Sequence, residues 1–399
     1  MTKKWIKLRH KIITGLVRPF FSMHMRAKYG YSYKKYKLPK GKPHLILSNH
    51  QTKADQFLIG LIFDKNLYFI ARDDLFSMGF LSKALKFMVA PIPKNKVAKD
   101  IRTVRDSVRV AKEGGSIALC PEGNLTFSGT TEHIDVSTAK YVKLLGLPVL
   151  FVNLRGGYGV RPRWAVNLRK GKMTGAVTRL MEPSEYADMT AEELHEVICR
   201  ELYVDDRALK QNFYSKANAE GMESCLYVCP HCGITRFVSK ENMIKCSSCG
   251  LTAVYGTDLT FTEGPFQSVK EWYDYQKDFV SGFDLNSAGA VRLLFSDRIK
   301  YVKDEIKNKR KHKVSKKTVV TMFSDRLEIT DDFGAKTVPL SEISAMAILG
   351  RNKLEISQGS QNYFLIAGSS FNALKYVQFF YHYKNTLKGV QGKGEFLGL

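Results

Sequence analysis

A chain of 399 residues is too long for one ordinary domain and implies two or three. With 44% hydrophobic and 12% aromatic residues it is globular in composition and can bury a core without disulfides, which excludes a disordered or disulfide-framed protein. The formal net charge of +24 favours polyanionic surfaces: nucleic acid, anionic lipid or an acidic carrier protein.

The N-terminal region, residues 1–40, is basic. Residues 1–54 hold fourteen Lys and Arg and no acid, so Asp55 is the first carboxylate of the chain. Residues 4–18 read as an amphipathic helix, with Trp5, Leu8, Ile12 and Leu16 on one face and Lys4, Lys7, Lys11 and Arg18 on the other. Pro19 is expected to end or bend it. Two readings stand: a helix lying in an anionic lipid interface, or one docked on the protein's own core. No apolar run approaches the roughly 18 residues of a spanning helix, and no signal-peptide core is visible. The expected location is cytoplasmic, peripheral to the inner face of the membrane.

From residue 44 to about 182, apolar runs at 44–48, 67–71, 116–120 and 148–154 alternate with helical stretches at 52–63, 75–87, 97–112 and 136–146. A further helix is expected over 190–213. This alternation predicts an α/β domain over 41–215, a mostly parallel sheet flanked by helices. The sequence NHQTKAD (49–55) follows the first strand and opens the first helix. Ligands gather outside the carboxyl ends of such strands, and a carboxylate there can orient His50 so that its second ring nitrogen works as a base. By itself a histidine five residues ahead of an aspartate is most often a surface turn. A second polar loop, PEGN at 121–124, ends another strand of the same sheet and can face the same pocket. Its Gly123 permits close approach of backbone amides to an anion. Glu122 alone also fits a helix-capping carboxylate.

Residues 222–256 carry two CxxC pairs, Cys229/Cys232 and Cys246/Cys249, separated by thirteen residues. Four thiolates on two short hairpins fit a closed, tetrahedral, structural Zn2+ site, a zinc ribbon. Cys225 is an alternative ligand, His231 is expected to be exposed, and Cys120 and Cys199 are expected to be small buried hydrophobes. An aromatic-rich helical connector follows within 257–286. Residues 287–399 then give short strands and a closing amphipathic helix at 371–385, a small β-rich domain. The run KNKRKHKVSKK (307–317) reads as a solvated hairpin loop, with anionic lipid as its functional partner. The phrase FSDR at 295–298 and again at 323–326 reads as a recurring strand–turn–strand corner.

Taken in order, NHQTKAD, VAPIPKNK (89–96), CPEGN (120–124) and LPVLFVNLR (147–155) resemble the four blocks of the glycerophospholipid (1-acylglycerol-3-phosphate-type) acyltransferase family. The resemblance covers about residues 40–185. It implies direct acyl transfer, with His50 as general base and Asp55 as its orienting partner. Lys94, Glu122, Gly123 and Asn124 would hold the phosphate end of the acceptor. Two departures bear on the substrate. Lys94 stands where the family usually has arginine, and Asn124–Leu125 replace its Ser/Thr–Arg; Arg155, Arg161 or Arg163 are candidates to supply the missing cation. The C-terminal domain resembles pleckstrin-homology-like folds in its strand-and-final-helix pattern only.

The function expected is therefore a peripheral membrane acyltransferase. It moves a fatty acyl chain from acyl-CoA or an acyl carrier protein thioester to the hydroxyl of a lysophospholipid or related glycerolipid. Its partners would be an anionic membrane surface, the lipid acceptor and the acyl donor, and not nucleic acid. The rival is a nucleic-acid- or protein-binding module that uses the ribbon and basic loop and carries a repurposed acyltransferase domain.

Overall fold

The computed structural model describes residues 4–72, 80–94, 101–285, 291–305, 310–332, 334–359, 361–368 and 371–389. It divides into two units, Met1–Val160 with Lys170–Gln211 and Arg161–Arg169 with Asn212–Leu399. The chain leaves the first unit for nine residues and returns, a crossing that no composition boundary marks.

The first unit begins with α1 (Leu8–Tyr29), β1 (Tyr31–Tyr33), β2 (Leu45–Ser48), α2 (Asp55–Ile62) and β3 (Leu67–Arg72). It continues with α3 (Phe80–Met88), β4 (Ile92–Lys94), α4 (Ile101–Lys112), β5 (Ser116–Leu119), α5 (Ser137–Leu145) and β6 (Val149–Arg155). A single turn α6 (Gly157–Val160), β7 (Met173–Met181), a second turn α7 (Pro183–Tyr186) and α8 (Ala191–Leu202) complete it. The strands form one sheet in the order β1-β7-β6-β2-β5-β3-β4. Every pairing is parallel except β6 with β7, so the α/β sheet expected from the alternating runs is present. Its central strands are apolar on both faces, as a sheet covered on two sides requires. Leu45, Leu47, Ile117 and Phe151 pack with Val142 of α5 and Leu194 and Ile198 of α8.

Two boundaries differ from expectation. The first helix runs through Pro19 to Tyr29 and stops at Gly30, whose φ of 57° is left-handed. Pro19 removes one backbone donor, but the second half of the helix is held by Met25 and Tyr29, both buried. The last helix of the unit ends at Leu202, not near 213. Beyond it the chain is drawn into a bridge with the polar loop: Thr131 N donates to Val204 O at 3.0 Å and Val204 N to Thr131 Oγ1 at 2.9 Å. The expected helix starts at 75 and 97 lie outside the described residues. Among the described residues no helix is long and apolar enough to cross a membrane.

In the second unit, β8 (Val228–Cys229) and β9 (Gly233–Ile234) form a hairpin. Next to it in sequence, β10 (Phe237–Lys240), β11 (Met243–Cys246), β12 (Thr252–Tyr255) and β13 (Phe261–Glu263) make a four-stranded sheet. Helix α9 (Val269–Ser281) locks onto this unit through its buried face. Trp272 Nε1 donates to Val228 O at 2.8 Å, and Gln276 accepts from Val228 N while donating to Cys225 O.

The β-rich part contains β14 (Leu293–Glu305), β15 (Arg310–Phe323), β16 (Arg326–Asp331), β17 (Gly334–Pro339), β18 (Ile343–Leu349), β19 (Lys353–Gln358) and β20 (Gln361–Ile366). These form a single antiparallel sheet, β17-β16-β15-β14-β20-β19-β18, and α10 (Ala373–Leu387) closes the chain. Residues 310–317 of the basic run are strand and not loop; residues 307–309 lie outside the described residues. The two FSDR phrases are also not equivalent, since Phe295–Arg298 lies inside β14 whereas Ser324 and Asp325 form the turn between β15 and β16. The start of α10 is buried almost all round rather than on one face. Its Lys375 and Tyr376 both reach Asp297 of β14, at 2.7 and 2.8 Å, and burial pulls the Lys375 pKa down.

Candidate active site and metal centre

The parallel pairing of β2, β5 and β6 puts the residues that follow β2 and β5 at one edge of the sheet. There NHQTKAD wraps into a turn that ends in the first residue of α2. His50 Nδ1 lies 2.8 Å from Asp55 Oδ2, with Asp55 0% exposed and the imidazole 16% exposed. The Asp55 carboxylate also accepts from Gln51 N at 2.7 Å, Thr52 N at 3.0 Å and Thr52 Oγ1 at 2.6 Å. These donors hold the carboxylate in one orientation, and it in turn fixes the ring through Nδ1. Nε2 is the ring nitrogen that Asp55 does not engage. Among the described residues no Ser, Thr or Cys side chain is hydrogen-bonded to His50. Cys120, at the end of β5, is half-buried, and burial raises its thiol well above the usual range.

Glu122 spends both carboxylate oxygens on backbone. Oε1 accepts from His50 N at 2.7 Å and Oε2 from Glu132 N at 2.7 Å. It ties the two loops together. Burial raises its pKa; the two backbone donors oppose this, and the neighbouring Glu132 and Asp55 carboxylates add to it. Gly123 has φ +68°, a conformation that favours glycine. Asn124 is buried. Asn49 is structural: its side chain donates to Leu154 O and accepts from Leu154 N, each at 2.8 Å. Lys94 ends β4 at the same edge, exposed, three strands and roughly 14 Å along the sheet from β2. Arg163 belongs to the second unit, where it donates to Gly350 O and Ile348 O at 2.9 and 3.0 Å.

Sequence reasoning missed three participants. Gln51, inside the motif, accepts from Gly157 N and donates to Asp206 Oδ1 at 2.8 and 2.9 Å. Asp206 also accepts from Gly156 N at 2.8 Å and Tyr158 N at 2.9 Å. Burial raises the Asp206 pKa to about 6 despite these donors. A Cβ on Gly157 would meet Gln51 Oε1 at 2.7 Å, so glycine is needed for this approach. The third, Glu132, accepts from Thr126 Oγ1, Phe127 N and Ser128 Oγ and holds the polar loop folded. Only Gln51, lying between the histidine and the aspartate, carried a local signal.

In the second unit the Sγ atoms of Cys229, Cys232, Cys246 and Cys249 all lie within 4.8 Å of one another. The pairs Cys229–Cys249 and Cys232–Cys246 are 3.6 and 3.5 Å apart. A tetrahedral ion with metal–sulfur bonds of about 2.3 Å sets sulfurs about 3.8 Å apart, so the four residues fit one metal. Backbone N–H groups of His231 and Cys232 donate to the Cys229 sulfur, and those of Ser248 and Cys249 to Cys246. Each knuckle thus turns two backbone donors toward its first sulfur. Cys225 is buried and outside the cluster, and His231 is exposed. Cys199 is only half-buried, with its sulfur 3.3 Å from His195 Nε2.

No curated protein matches the chain significantly. Among solved structures the chain is similar to the crystal structure of the 1-acyl-sn-glycerophosphate (LPA) acyltransferase of Thermotoga maritima. The identity is 18% over 47% of this chain and 76% of that one, with a TM-score of 0.39. It is also similar to the N-terminal PH domain of human ARAP2, at 17% identity over 27% of this chain and 89% of that one, with a TM-score of 0.19. Neither overlap is close enough to add to the geometry. The family match is more direct: residues 31–153, which hold His50, Asp55 and Glu122, match the model described as Acyltransferase, and the chain carries an acyltransferase domain there.

Proposed function

We propose that this chain is a peripheral membrane O-acyltransferase that moves a fatty acyl group from a thioester to the hydroxyl of a lysophospholipid or related glycerolipid. The observation that carries the reading is the 2.8 Å contact between His50 Nδ1 and the buried Asp55 inside the acyltransferase-family segment. His50 Nε2 takes the proton of the acceptor hydroxyl, and the oxygen attacks the thioester carbonyl. The thiolate then leaves and recovers a proton, so neither an acyl-enzyme nor a redox partner is needed. Asp55 supports the imidazolium that forms. Gly123 and Asn124, with Lys94 as the reaching cation, hold the phosphate end of the acceptor, in a loop shaped by Glu122. The donor is acyl-CoA or acyl carrier protein, both anionic and suited to a chain of charge +24.

Membrane attachment is supported by α1. Of the predicted face, Leu8, Ile12 and Leu16 are exposed, as are Phe20 and Met23 further along, and these are available to a lipid interface, whereas Trp5 packs on the protein's own core and donates to Ala90 O at 2.9 Å. The four cysteines hold Zn2+ as a structural ion. The test is transfer of labelled acyl groups from acyl-CoA or acyl carrier protein to lysophospholipids by the purified chain. Full activity in His50→Ala would overturn the assignment.

A further inference from the structure

Within the first unit, α1 passes β1 and the C-terminal end of α2, leaving a cavity of about 1080 Å³. Four cations line it: Arg18, Arg26, Lys35 and Lys37. The single acid, Asp64, already accepts from Leu38 N at 2.9 Å. Arg18 is engaged as well, since it donates to Gly60 O and Phe63 O at the carbonyl end of α2. Arg26, Lys35 and Lys37 are exposed and have no ion pair among the described residues. Apolar wall is supplied by Met23, Leu61 and Phe63. Met23 also belongs to the exposed apolar stripe of α1, so cavity and stripe are continuous.

We infer that this cavity is a binding site for the headgroup of an anionic membrane phospholipid, with its acyl chains following Met23 and the neighbouring apolar stripe. Three uncompensated cations call for net negative charge, and the adjoining wall and stripe call for hydrocarbon on the same molecule. A zwitterionic headgroup would leave that charge unmatched, and a soluble anion would leave the apolar wall unused. The site is distinct from the reacting centre. It sits at the end of α2 opposite to Asp55, about 10 Å away along the helix.

The test is partition of the full chain onto phosphatidylcholine vesicles with and without phosphatidylglycerol, at about 0.1 M salt so that distant charges are screened. The triple substitution Arg26→Gln/Lys35→Gln/Lys37→Gln should weaken binding to the anionic vesicles roughly a hundredfold. Lys112→Gln/Lys140→Gln/Arg200→Gln, equal in charge but on α4, α5 and α8, should weaken it less than about fivefold. Met23→Glu, at an exposed position, should mimic the first triple. His50→Ala should bind like the unaltered chain, which separates this proposal from the proposed reaction. Equal losses from the two triples, equal binding to pure phosphatidylcholine, or release by inorganic phosphate at constant ionic strength would each overturn the assignment.

Discussion

Gln51 Nε2 donates to Asp206 Oδ1 at 2.9 Å across 155 residues of chain. The neighbour of the proposed base is thus fastened by a buried carboxylate from beyond the last helix of its unit. Asp206→Asn would turn an amide N–H₂ toward backbone donors, leaving them and itself unpaired. The expected cost is about 2 kcal/mol of stability, with a fall in turnover larger than any change in KM because the His50 turn loosens. Denaturant unfolding and steady-state kinetics measure the two; an unchanged variant would mean that Asp206 holds nothing.

The same residue gives a pH signature. Its folded pKa is raised from 3.8 to about 6, so the folded state binds this proton more tightly than the unfolded one. That contribution to stability is full below pH 3.8 and is lost as pH rises through about 6. The stability difference between the unaltered chain and Asp206→Asn should therefore narrow between those limits. A constant difference, measured by unfolding at stepped pH, would contradict the raised pKa.

His50→Ala should lower acyl transfer by about a thousandfold or more, with little change in stability, since the ring is partly exposed and makes one side-chain hydrogen bond. Asp55→Asn should lose transfer similarly and also cost about 2 kcal/mol, because its carboxylate accepts from two backbone N–H groups and Thr52 as well as from the ring. Thermal melts beside the activity assay separate these effects. Equal stability of the two variants would argue against the acceptor role of Asp55.

Elemental analysis of protein purified without chelator should find about one zinc per chain. Cys246→Ser, which removes a buried ligand, should lower zinc content and the unfolding midpoint together. A metal-free chain of unaltered stability would reduce the four cysteines to a chance cluster.

Replacing Leu16 and Phe20 by Ser should weaken vesicle binding without lowering the melting temperature, since both side chains already face solvent. A lowered melting temperature would place the stripe against the protein itself.

What could be read from the sequence follows how locally each feature is encoded. His50 and Asp55 fall in one turn, and the four cysteines in two short knuckles, so spacing alone brings each set together. Glu122 is legible as a motif residue, but its use of both oxygens on backbone depends on how two loops meet. Asp206 carries no pattern at all, because its role arises from the route the chain takes after Leu202. The helix running through Pro19 shows packing of Met25 and Tyr29 overriding a local breaker. Strand β18 (ISAMAIL) lacks the clean alternation that marks a half-buried strand, and FSDR shows one tetrapeptide serving as strand in one place and as turn in another.

The nine-residue excursion 161–169 governs how this protein can be taken apart. Trp164, fully buried, meets Tyr255 edge-on at 5.7 Å, and Arg169 donates to Asn218 O. A shortened chain ending at Gln211 would keep the family segment but strip the cover from that indole and leave Arg163 without the Ile348 and Gly350 carbonyls. Such a fragment would carry a sticky, charged flap between β6 and β7, so poor solubility in it would say nothing about the fitness of the catalytic sheet. Deleting 161–169 together with the C-terminal half is the cleaner dissection.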